Sequence, residues 1–88
     1  MLKEEMRKIF NKADIAQLNL IGDIPEDEYD LEIGLILEKV NKNTDIFTLK
    51  NIIYDVFTYS FDEGIIYDKN NVIYNNVAKE IYNLLRRE

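Results

Sequence analysis

Residues 71–85 read NVIYNNVAKEIYNLL, and the reading of this stretch decides the fold. Its opening, NVIYN, is rich in β-branched and aromatic residues and would suit a strand. The wider window favours a helix. Val72, Ile73, Val77, Ile81, Leu84 and Leu85 recur at three-and-four spacing, the period that gathers side chains on one face of an α-helix. A helix is therefore predicted from Asn71 to the C-terminus, with Arg86 and Arg87 at the negative end of its dipole. Tyr74 and Tyr82 fall beside the main stripe with Ala78 between them, which suits a half-exposed tyrosine face.

The same period extends toward the N-terminus. Ile46, Leu49, Ile53, Val56, Phe57 and Ser60 predict a helix with Thr44 as N-cap, ending near Phe61 with Gly64 as its stop. Between these two helices the segment GIIYDKNN (64–71) is a connection, and Ile65 and Ile66 are expected to plug the end of the core. Upstream, Tyr29, Ile33, Ile36, Leu37 and Val40 mark a helix from about Glu26 to Asn41. Gly34 lies inside it and suggests a close helix crossing. Leu2, Met6, Ile9, Phe10 and Ala13 mark a first helix over Leu2 to Ala16, whose outer face pairs Glu4 with Lys8 at i,i+4. With Gly22 and Pro25 in the loop before the second helix, the expectation is one all-α domain over residues 1–88, a small antiparallel bundle of three to four helices.

Length and composition bound what this bundle does. A chain of 88 residues buries only about 60–65% of its unfolded surface, so it holds one modest core. Hydrophobic residues at 47% and charged residues at 32% place it among folded globular proteins. There is no Cys and no His, which removes disulfides, thiolate metal sites and the common nucleophile–base pairs. No cofactor motif is present and the reading is non-enzymatic. The start MLKEEMRKIFNK alternates charged and apolar residues instead of presenting an unbroken apolar run, so a cytoplasmic protein is expected.

Charge is the remaining signal. Between Asp23 and Glu32 the chain reads DIPEDEYDLE, six carboxylates in ten positions. From Ala13 to Glu38 there are eight acids and no Lys or Arg. The whole chain carries −6, so everything outside that window carries a net +2, the difference between −6 and −8. A local acidic field selects basic partners and argues against a nucleic-acid or anionic-membrane surface. As a calcium loop starting at Asp23 the segment fails, with Pro25 at position three, Glu28 where glycine is needed and Gly34 where the bidentate Glu is needed. A plainer reading is a solvated helix N-terminus, where Glu26, Asp27, Glu28 and Asp30 suit the dipole. Six acids exceed what that requires. The candidate partner-binding residues are Asp23, Glu26, Asp27, Glu28, Tyr29 and Asp30, although Tyr29 also fits the apolar stripe.

The residues Ile21 and Gly22, followed by Asp27, Glu28, Tyr29 and Asp30 ahead of an Ile/Leu-rich helix, resemble a family of small helical bacterial proteins. The signature of that family is Trp-Asp-Pro-Ile-Gly, a short acidic insert and Asp-Glu-Tyr-Asp. Leu18, Asn19 and Leu20 stand where the signature has Trp-Asp-Pro. Some members look like immunity proteins encoded beside secreted toxins. The resemblance implies an immunity or antitoxin-like protein that binds a basic bacterial toxin domain, a nuclease foremost, through the acidic segment. The alternative is a non-catalytic adaptor or self-associating helical protein, homodimer included, in which the acidic segment is incidental.

Overall fold

The computed structural model describes residues 2–15, 29–61 and 64–87. Four helices form among them: α1 (Leu2–Ala13), α2 (Asp30–Lys39), α3 (Ile46–Ser60) and α4 (Val72–Arg87), with no strand among the described residues. They stand in a ring in which α1 touches α2 and α4, and α3 touches α2 and α4. The α3–α4 interface is the most extensive and α1–α2 the least. Tyr29, just before α2, meets Phe57 and Phe61 at the end of α3, so those two helices run in opposite directions. The Cα radius of gyration is 12.0 Å, matching the about 12 Å expected of a compact chain of this length.

The core is the set of stripes read from the sequence, brought face to face. Met6 and Phe10 come from α1, Ile33 and Ile36 from α2, Leu49, Ile53, Val56 and Phe57 from α3, and Val77, Ile81, Leu84 and Leu85 from α4, all buried. Across the bundle, the rings of Phe10 and Phe57 lie 5.5 Å apart, and Tyr29 meets Phe57 at 5.4 Å. Aromatic pairs at these separations contribute about 0.5–1.5 kcal/mol beyond the area they bury.

Several local expectations are corrected. The first helix stops at Ala13 rather than Ala16, because Asp14 adopts a left-handed backbone (φ 49°) with its N–H bonded to the Phe10 carbonyl at 2.9 Å. Aspartate tolerates this conformation better than most non-glycine residues, and it serves as a helix stop. The cap of α3 is Asp45, whose carboxylate accepts from the Thr48 N–H at 2.7 Å; Thr44 instead accepts from the Asn41 N–H at 3.0 Å. Helix α2 is described from Asp30 to Lys39, shorter at its C-terminal end than expected. Gly34 marks no close crossing, since a Cβ built there meets nothing within 4 Å. Of the two isoleucines in the connection, Ile66 is buried and Ile65 is exposed. Tyr74 is fully buried, not half-exposed. Its hydroxyl donates to the Tyr67 carbonyl at 2.6 Å, and its ring meets Tyr54 at 5.4 Å. Burial pushes its phenol well above the ordinary value, helped by Tyr54 and Asp68 nearby.

Candidate functional site

Of the six candidate binding residues, Tyr29 and Asp30 are described; Asp23, Glu26, Asp27 and Glu28 lie outside the described residues. Asp30 reaches α1, and Tyr29 reaches Asp14, the residue that follows that helix. The Arg7 guanidinium donates twice to the Asp30 carboxylate, Nε to Oδ1 at 2.7 Å and Nη2 to Oδ2 at 2.6 Å. Lys3 adds a longer ion pair at 3.7 Å. The Asp30 side chain is 24% exposed. Hydrogen bonding from Arg7 holds its carboxyl below the usual carboxylate range against the opposing effect of partial burial, with the charges of Arg7 and Lys3 assisting. Asp30 also opens α2, where the helix dipole favours an anion.

Tyr29 completes this clasp from the apolar side. Its ring is buried among Phe57 and Phe61, and its hydroxyl donates to Asp14 Oδ1 at 2.9 Å. Tyr29 and Asp30 thus tie the start of α2 to α1 and to the residue that follows it. The other described acid of the run, Glu32, is buried in the first turn of α2. In this conformation a partner meets little of Tyr29, Asp30 or Glu32. Among the described residues no group of three or more carboxylates could hold a metal ion.

The outward features lie elsewhere. Leu31 is 68% exposed on α2 and Tyr59 is 84% exposed on α3. Between these helices runs a groove of about 300 Å³, lined by Leu35, Lys39, Asp55, Val56 and Tyr59. Leu31 precedes Leu35 by four residues, one helical turn, so it extends the apolar lining along α2. Lys39 on one wall and Asp55 on the other make no ion pair or hydrogen bond among the described residues. This face therefore combines uncovered apolar surface with one unengaged charge of each sign. A second groove of about 430 Å³ separates α1 from α4. Ile9, Ala13, Ile73 and Val77 are among its lining residues, with Lys12, Lys79 and Glu80 around them.

Sequence reading did not single out Leu31, Leu35 or Tyr59, because attention goes first to the stripe that forms the core. The available signal was what that stripe left over: apolar residues at i,i+4 on α2, off the line of Ile33 and Ile36. No helix among the described residues is long and apolar enough to cross a membrane. Compared with family models, curated proteins and solved structures, the chain gives no match.

Proposed function

We propose that this chain is a non-catalytic docking module whose working surface is the outer face of α2 and α3. The observation that carries the reading is the exposure of Leu31 and Tyr59 beside the groove lined by Leu35 and Val56. Large apolar side chains grouped around a concavity favour burial against a partner, and tyrosine is a frequent anchor there. A photo-crosslinking residue placed at position 59, at position 31 or at position 80 tests the reading in the cell that makes the protein. Protein adducts from 59 and 31 but not from 80 are expected. Equal labelling from all three, or none, contradicts it.

A second reading is favoured by the segregation of charge. The window from Ala13 to Glu38 holds eight acids and no base, and the resemblance of Ile21, Gly22 and Asp27 to Asp30 to immunity-like proteins points the same way. On this reading the protein neutralises a basic toxin domain, a nuclease foremost, in the cytoplasm. Carboxylates take the place of substrate phosphates. Because Tyr29, Asp30 and Glu32 turn inward, the contacts fall to Asp23, Glu26, Asp27 and Glu28. Neutralising three of these four should slow association with such a toxin and weaken its salt dependence; an unchanged rate removes the reading.

A further inference from the structure

We propose that the occupant of the α2–α3 face is a second copy of this chain, paired about a two-fold axis parallel to the two helices. The inference rests on the docking reading above and names its partner. Lys39 projects from α2 and Asp55 from α3, both line one groove, and neither makes an ion pair or hydrogen bond among the described residues. An isologous interface sets each residue opposite a different residue of the same surface. A two-fold axis along the groove lays α2 of one copy over α3 of the other, which brings each Lys39 toward the Asp55 of its mate. The two charges that stay apart within one copy then form two equivalent ion pairs between copies.

The apolar residues obey the same operation. Leu31 and Leu35 lie on α2 and Tyr59 on α3, so laying α2 over α3 sets leucines against tyrosine on both sides of the axis, over a groove floor that includes the buried Val56. A surface with one Lys, one Asp and an apolar lining is neutral and self-complementary. Among the described residues that line the groove, a strongly basic partner would find one carboxylate, Asp55. The net charge of −6 per copy opposes the approach at long range, but fields between exposed charges fade beyond about 8 Å at physiological salt. Pairing should therefore persist as salt rises, the opposite of binding to a basic partner.

Sedimentation equilibrium of the full chain and two charge-reversal variants provides the test. Wild-type protein is expected to form a dimer that persists at about 0.5 M salt, where screening reaches within a few ångströms. Lys39→Asp alone sets two carboxylates together at each of the two contacts, and Asp55→Lys alone sets two ammonium groups together, so each should weaken self-association by about tenfold or more. Mixing the two variants restores opposite charges at both contacts, so an equimolar mixture should form a heterodimer about as tight as wild type. Circular dichroism checks that each variant keeps its helices. Because the mixture contains the same two variants, recovery cannot come from repaired folding. A wild-type chain that stays monomeric to millimolar concentration overturns the pairing. So does a mixture no tighter than either variant alone. If the residue-59 adduct then contains a different protein, the docking reading stands and self-pairing does not; if no adduct forms, both fall.

Discussion

The α3–α4 side of the bundle and the α1–α2 side are held by different physics. Between α3 and α4 the interface is broad and apolar, with Ile53, Val56 and Phe57 buried on one helix and Val77, Ile81 and Leu84 on the other. Between α1 and α2 the contact is slight, and its named links are polar: the Arg7–Asp30 fork and the Asp14–Tyr29 hydrogen bond. Apolar burial is insensitive to pH and tolerant of small displacements, whereas a bidentate ion pair fixes register and depends on ionisation. The difference shows what the acidic run contributes to the fold. Its final residues supply specific links where the helices share little surface.

The comparison breaks most severely at the residue both sides share. Phe57 touches Phe10, Tyr29 and Phe61 at ring separations of 5.5, 5.4 and 5.8 Å, so Phe57→Ala should cost about 3–5 kcal/mol in denaturant unfolding. A smaller loss is expected at the clasp. Arg7→Ala, or Asp30→Asn, should cost about 1–2 kcal/mol, the scale of charge-assisted hydrogen bonds at partly exposed groups.

This loss has a pH signature. The Asp30 carboxyl titrates below its ordinary value of 3.8 when folded, so the folded state holds fewer protons than the unfolded state between the two values. Its stabilisation is fully present above about pH 4 and disappears as pH falls through the lowered folded value. Wild type should lose more stability on acidification than Asp30→Asn, and thermal melts from pH 6 to pH 2 would register the convergence. Equal slopes for the two proteins would mean that the Arg7–Asp30 pair contributes nothing.

Two smaller effects sharpen the contrast. Tyr29→Phe keeps the ring in the core and removes the hydroxyl that bonds Asp14, so it should cost about 1 kcal/mol. Gly34→Ala should act in the other direction. The site is helical, with open space where a Cβ would stand, and alanine gains about 0.5–1 kcal/mol there by chain entropy. A destabilised Gly34→Ala would show that the interior of α2 is tighter than its surroundings indicate.

The helices were legible because periodicity is a property of neighbours in sequence. Met6 with Phe10, Ile33 with Ile36, and Val77 with Ile81 each lie within one turn, and all six are buried as their spacing implies. The clasp was not legible, because Arg7 and Asp30 are 23 residues apart and only the bundle topology brings them together. The same holds for Glu32. Its carboxylate reads as one more surface acid, yet its helical position sits beside Ile33 on the inner side. The end of α1 escaped for another reason: Asp14 gives an ordinary polar signal, and nothing in its spacing marks the left-handed backbone that ends the helix. Exposed Leu31 and Tyr59 were hidden by their resemblance to core residues, since composition does not separate an apolar residue that packs inward from one that waits for a partner.

The proposal most open to test is that two copies meet on the outer face of α2 and α3, while Tyr29 and Asp30 serve the fold. A dilution series of amide nitrogen–proton NMR spectra tests it most directly. From about 1 mM downward, a range that spans weak to moderate association, concentration-dependent shifts are expected only in the neighbourhoods of Leu31, Leu35, Lys39, Asp55 and Tyr59. Arg7, Asp14 and the α1–α4 groove should stay fixed. Shifts centred on Lys12 and Lys79, or spectra that do not change at all, would contradict it.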